Sequence, residues 1–223
     1  MNRTIRYFWN RRLARQLRKP NGAMGIKVAE RMNLSNGHLY DLTWKAMNIK
    51  PRESILEIGF GNGMFFEKLL KAREGLQVAG IDFSASMWEE ASRINQNALD
   101  SGRLILKHGP CELMDFTDEQ FDHVYCINVV YFWENPAVSL REIRRVLKPG
   151  GSFCATFRDP ASMARMPFTR FGFRAYSEES WSGLLKQNGF VYQGRMETED
   201  PVSGDLKNEV PFRSHSYIGK KQD

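Results

Sequence analysis

The sequence predicts an α/β domain on an open, mostly parallel sheet with helices on both faces, preceded by a helical arm. Three observations predict it. From residue 51 onward, short apolar strands alternate with amphipathic helical stretches. The strands are continuous apolar runs, partly β-branched, as strands covered on both faces are. The first of them runs straight into a glycine-rich turn, ILEIGFGNGMF at 55–65, and open sheets of this kind hold ligands at the carboxyl ends of their strands.

The elements follow in order. Residues 3–19 read as a helix, because Ile5, Phe8, Trp9, Leu13 and Leu17 recur at spacings of three and four among arginines. Pro20-Asn21-Gly22 stops it. Shorter helical patterns at 24–33 and 38–48 are separated by the turn-rich stretch Asn33–Gly37. Strands are expected at 54–58, 76–81, 103–108, 121–127 and 151–157, with helices at 63–73, 84–100, 136–147 and 178–188. Asn188-Gly189 closes the last helix. Further strands at 190–195 and 212–219 bring the sheet to seven. Residues 1–50 form an arm or lid belonging to the same unit as the domain at 51–223.

With 223 residues, 42% of them hydrophobic, the chain supports one domain with a proper core. No window approaches the ~20 apolar residues of a membrane span, and residues 1–20 lack the apolar run of a signal peptide. A cytoplasmic location is expected. The three cysteines, Cys111, Cys126 and Cys154, lack metal-site spacing, and the last two fall in apolar runs as buried thiols. The net charge of +6 is local. Eight basic residues precede the first acid, Glu30, so the rest of the chain sums to −2.

Glycines after a strand let the chain turn sharply and let a ligand approach the backbone. The spacing here, Gly59, Gly61, Gly63, is G-x-G-x-G, and Met64 stands where the dinucleotide fingerprint G-x-G-x-x-G has its last glycine. Glu57 sits two residues before the first glycine, beside Phe60 in the turn. An acid there suits a cationic ligand and disfavours a pyrophosphate. S-adenosylmethionine carries an ammonium and a sulfonium and no phosphate. The second strand ends at Asp82, nineteen residues after Gly63, where a carboxylate can accept both ribose hydroxyls. Phe83 and Met87 are placed to pack against a purine. The competing role for Asp82 is as a helix cap, with Ser84.

With both stretches in place, the sequence resembles the class I S-adenosylmethionine-dependent methyltransferases over about 51–195. FDHVYCINVVYFWENP (121–136) and the Leu147-Lys148-Pro149-Gly150-Gly151 turn extend the resemblance, the latter towards the small-molecule branch. The resemblance implies a Rossmann-like sheet, S-adenosyl-L-methionine as cofactor, S-adenosyl-L-homocysteine as product, and no metal. It assigns the methionine end to Glu57 and the glycines, and the ribose to Asp82. The family's acid after the third strand is replaced by Pro110, leaving Cys111 or Glu112 to face the adenine.

Methyl transfer needs alignment and exclusion of water more than a catalytic dyad. Asn128 ends the fourth strand at the expected transfer site, followed by the aromatic run Tyr131, Phe132, Trp133, which suits an apolar acceptor or a cation. His38, with Tyr40 and Trp44, lies in the lid and is a candidate base; His123 reads as structural. The segment 163–177, with Arg158 just upstream, brings four arginines and three phenylalanines and no acid. Either an arginine there pairs with an anionic acceptor, or the aromatics pack and the arginines are solvated.

A small-molecule O- or N-methyltransferase is the first expectation, with an anionic or aromatic acceptor. A nucleic-acid methyltransferase would use the basic arm, yet Asn128-Val129-Val130-Tyr131 lacks the Asn/Asp-Pro-Pro-aromatic signature, and no Pro-Cys nucleophile for cytosine carbon methylation is expected. Residues 3–19 are also compatible with peripheral membrane contact and a lipid-headgroup acceptor. The simplest expectation is that the apolar face of that helix packs on the domain. A non-catalytic cofactor-binding protein is a further alternative.

Overall fold

The computed structural model describes residues 3–200 and 211–222. Two helices lead, α1 (Arg3–Arg18) and α2 (Gly22–Met47). The sheet follows: β1 (Ser54–Ile58), β2 (Gln77–Asp82), β3 (Leu104–His108), β4 (Phe121–Ile127), β5 (Leu147–Arg158), β6 (Phe190–Glu199) and β7 (Arg213–Lys221). Between strands lie α3 (Phe66–Ala72), α4 (Ala85–Ile94), α5 (Gln96–Asp100), α6 (Pro136–Val146), α7 (Pro160–Ala164) and α8 (Glu178–Gln187). The strand order is β3-β2-β1-β4-β5-β7-β6, parallel except for β7, which runs antiparallel to β5 and β6.

The register places the site. Ile58 pairs with Ile81 on one side and Cys126 on the other. The turn after β1 therefore emerges between Asp82, which ends β2, and Asn128, just past β4. Alternate residues of each strand face opposite sides. Leu56, Ile58, Val124 and Cys126 join a core under α6 and α8, while Ile55 and Tyr125 join one under α2 and α3.

Three expectations need correction. Residues 24–48 do not form two helices: α2 is one rod. Asn33 and Asn36, three residues apart and so on one face, spend their side chains on tertiary partners, Asn33 donating to Asn62 Oδ1 (3.0 Å) and Asn36 accepting from Asn128 (3.4 Å). Turn-forming residues thus serve as bridges inside a helix. The expected helix 84–100 breaks at Asn95, whose amide donates to Gly63 O (3.0 Å) and Ala91 O (2.9 Å). The apolar stripe of α1 packs on the domain only in its second half, where Leu13 and Leu17 are half-buried and Leu17 lines the cavity. Ile5, Phe8 and Trp9 are 57%, 60% and 52% exposed, and only Ala14 of that helix is buried. The Leu-Lys-Pro-Gly-Gly turn lies within the start of β5, where the pairing with β4 shifts register.

The buried half of α2 is fixed by hydroxyls. Thr43 Oγ1 donates to Leu39 O (2.7 Å) and meets Thr156 Oγ1 at 2.6 Å, which in turn meets Ser216 Oγ at 2.6 Å. The three cysteines are free and buried.

Candidate active site

A cavity of about 530 Å³ opens at the carboxyl ends of β1, β2 and β4. One end is walled by the glycine turn, by Asp82 and Phe83, and by Pro110, Cys111 and Glu112. The other is walled by Asn128, the aromatic run Tyr131–Trp133, Arg158, and the methionines and phenylalanines after β5. The last turn of α1 and the first half of α2 form the roof. The Arg18–Glu134 ion pair (2.7 Å) ties roof to rim, though an exposed pair contributes little.

The glycine turn is built for close approach. Gly59, Gly61 and Gly63 all have positive φ (73°, 58° and 68°), a region that disfavours a Cβ. A Cβ on Gly59 would stand 2.4 Å from Val129 Cγ2, and one on Gly63 2.8 Å from Ala91 Cβ, whereas one on Gly61 would meet nothing within 4 Å. Gly61 therefore leaves a bare patch of backbone on the cavity wall. Phe60 lines the wall beside it.

Asp82 is buried, accepting from Gly61 N and Ser84 N at 2.9 Å each. Burial pushes its carboxyl up to about 6, against the pull of those two N–H groups. The capping role expected as the alternative falls to Ser84, whose Oγ accepts from Met87 N (3.3 Å) at the start of α4. Glu57 accepts from Tyr125 Oη (2.7 Å) and Tyr40 Oη (2.9 Å). Burial raises it to about 7, the two hydroxyls opposing and the charge of Asp82 adding. Neither carboxylate has a basic side chain as a hydrogen-bond partner among the described residues.

Several expected residues stand elsewhere. Glu57 is one layer behind the wall, with Tyr40 in front of it. Gly63 packs against α4, and Met87 is fully buried on the inner face of that helix. His38 meets Asp200 Oδ1 (3.3 Å), the carboxylate that also pairs with Arg158; no histidine lines the cavity among the described residues. His123 is held by Ser152 and Glu53. Of the arginines at 158–177 only Arg158 reaches the wall; Arg165 sits over the Phe212 ring at 4.5 Å. The wall there is Met163, Met166, Phe168 and Phe173 instead.

Asn128 is held in the left-handed region, φ 57°, which asparagine tolerates. Its Oδ1 accepts from Tyr131 Oη (2.9 Å), and that oxygen accepts from Arg158 N (2.7 Å). Burial raises Tyr131 above an ordinary phenol. Its hydroxyl is thus a fixed donor that orients Asn128 and is no base near neutral pH. A Pro-Cys pair does occur, Pro110-Cys111, but after β3. Burial, with the Glu112 charge, lifts that thiol to about 12, so it stays protonated and poorly nucleophilic.

Sequence reasoning missed the polar roof. Asn33, Asn36 and Asn62 line the cavity and bridge α2 to the strand ends. Their composition reads as turn, and only the one-face spacing of Asn33 and Asn36 hints otherwise.

Residues 56–155 match the family model described as a methyltransferase domain. The uncharacterized methyltransferase YdaC of Bacillus subtilis is 29% identical over 57% of this chain and 68% of its own length. The ubiquinone/menaquinone biosynthesis C-methyltransferase UbiE of Geotalea daltonii is 29% identical over 50% of each chain. The chain thus spans between half and about two thirds of these relatives. Among solved structures, a chain in the complex between the Haloferax volcanii Trm112 methyltransferase activator and a methyltransferase superposes with a TM-score of 0.73. It covers 87% of this chain and 94% of that one at 18% identity, a likeness of fold. The matched stretch 56–155, these relatives and the fold together support a class I S-adenosylmethionine-dependent methyltransferase.

Proposed function

We propose that the protein transfers a methyl group from S-adenosylmethionine to an oxygen or nitrogen of a small molecule with an apolar body. The observation that supports this most is the pair of buried carboxylates, Asp82 on the glycine wall and Glu57 one layer behind it, each raised by burial and neither hydrogen-bonded to a basic side chain among the described residues. Carboxylates at the cavity, once ionised, match a cation and oppose a pyrophosphate. The residues present fit the cofactor: a bare backbone at Gly61 for close approach, a carboxylate at Asp82 for hydroxyls, and Phe83 and Phe60 as apolar faces.

Bound there, S-adenosylmethionine supplies an electrophilic methyl on a positively charged sulfur. The chain's own residues do the rest. Asn128, fixed by Tyr131, offers its amide to the acceptor atom. The aromatic and methionine walls exclude water and hold the acceptor body. Cys111 and Glu112 border the adenine end. Arg158 on that wall is already paired with Asp200, and Met163, Met166, Phe168 and Phe173 make up the rest of it, which supports an aromatic or otherwise apolar acceptor over an anionic one. The apolar walls likewise speak against a nucleic-acid or charged headgroup substrate.

The test is calorimetric titration with S-adenosylhomocysteine on the intact protein and on Asp82→Asn, followed by methyl-transfer assays on a panel of apolar phenols and amines. Binding that the substitution weakens at least about tenfold, with turnover on one panel member, supports the reading. Binding without turnover on any acceptor favours the non-catalytic alternative, and no binding overturns the cofactor.

A further inference from the structure

On α1, successive residues turn by about 100°. Arg3, Tyr7, Asn10 and Ala14 therefore share the side that faces the body of the protein, and Ile5, Phe8, Trp9 and Arg12 share the opposite side. All four of the latter are exposed. Three large apolar side chains in one patch, beside a cation, are a costly thing to leave in water.

A second feature lies along the inner edge of that helix. A groove of about 480 Å³ is lined by Arg3, Arg6 and Asn10 of α1 and by Arg170 and Phe171 from the segment after α7. The Tyr7 ring meets Phe171 edge-on at 5.1 Å and fixes the two walls together. None of the three guanidinium groups has an acidic hydrogen-bond partner among the described residues. Like charges gathered around one groove repel unless an anion joins them, and the guanidinium fork matches phosphate oxygens.

We propose that α1 and this groove form a docking surface for an anionic lipid bilayer, with Ile5, Phe8 and Trp9 entering the interface and the Arg3–Arg6–Arg170 groove taking a lipid phosphate. Apolar anchors beside cations are what an anionic interface recognises. A nucleic acid would satisfy the arginines but leave Ile5 and Phe8 in water. The last turn of the same helix, Gln16, Leu17 and Arg18, lines the active-site cavity, so docking sets that apolar cavity next to the bilayer. The proposal stands whatever the methyl acceptor is.

The experiment is co-sedimentation of the full chain with vesicles of phosphatidylcholine alone and of phosphatidylcholine with about one third phosphatidylglycerol. Partitioning is expected to be at least about tenfold stronger onto the anionic vesicles and to fall as salt rises. The triple substitution Ile5→Ser, Phe8→Ser, Trp9→Ser and, separately, Arg3→Ala, Arg6→Ala, Arg170→Ala should each weaken it about tenfold or more, with S-adenosylhomocysteine binding unchanged. Equal partitioning onto neutral vesicles, no partitioning, or indifference to both triple substitutions would overturn the proposal. So would binding to a short RNA or DNA duplex tighter than to the anionic vesicles.

Discussion

At Glu57 and Asp82 the folded chain holds protons that the unfolded chain releases. The carboxyls titrate near 7 and 6 in the fold, against ordinary values of 4.5 and 3.8. A raised acid stabilises the fold fully below its unfolded value, and that stability is lost as pH rises through the folded value. For Glu57 the loss falls between about 4.5 and 7. His215, whose pKa burial lowers, changes stability in the opposite sense, so the comparison to make is wild type against Glu57→Gln. From pH 5 to pH 8 the variant should gain about 2 kcal/mol relative to wild type in denaturant unfolding. No change in the gap, or a change of opposite sign, would contradict the burial argument. A cation binds best when these acids are ionised, so affinity for S-adenosylmethionine should rise through the same window. Gly61→Ala tests the bare wall. Its positive φ should cost about 1–2 kcal/mol, and its methyl group enters the cavity, so S-adenosylhomocysteine binding should drop about tenfold or more while the circular dichroism spectrum is retained. These two carboxylates and the glycines were legible in the sequence because strand ends and glycine spacing are local signals. The distinction between Asp82 on the wall and Glu57 behind it was not, because it depends on Tyr40, seventeen residues away along the chain, reaching across.

Among the elements, α2 carries most of what the sequence concealed. Composition at Asn33–Gly37 argues for a turn, and local propensity is the weaker force where side chains find tertiary partners. The strands and most helices stand within a few residues of their expected places, since apolar periodicity is read directly by burial. Removing one hydroxyl from the chain Thr43–Thr156–Ser216 tests how firmly α2 is seated. Thr43→Val keeps the shape but leaves Thr156 short of a partner, and should cost about 1–3 kcal/mol, measured as a shift in the denaturant midpoint with unchanged slope. The exposed stripe of α1 was equally hidden: spacing shows that a helix has an apolar side, but not which way that side turns.

Across the whole molecule, alternation of strands and helices is enough to imply the parallel sheet, and the place of β7 between β5 and β6 is beyond it. Periodicity specifies which residues face a core, and it does not specify which strand lies alongside which. The same reasoning bears on the domain boundary. Leu39, Tyr40, Thr43 and Met47 of α2 are buried against β1, β4 and β5, and on that packing we propose that the arm is part of the folding unit. A chain beginning at residue 51 should lose cooperative unfolding, seen as a broad, early melt. A sharp melt near that of the full chain would show instead that the arm is a separable addition.

The 26 residues of α2 make a rod of about 39 Å, gripped by the sheet at its carboxyl half and spanning the cavity with its amino half. It is a cantilever, and the stretch Asn33–Gly37 lies near its middle. Were a spent cofactor to leave by tilting of the amino half, which Asn33 and Asn36 tie to the strand ends, its residence time would depend on bending stiffness at that stretch as well as on the contacts below it. Gly37 is where stiffness can be adjusted, since a methyl group there would rest at 3.8 Å from Phe65 without displacing it. Gly37→Ala should stiffen the rod by up to about 1 kcal/mol of helix propensity. In stopped-flow chase experiments it should slow the departure of S-adenosylhomocysteine several-fold, turning a choice of one residue into a clock for turnover.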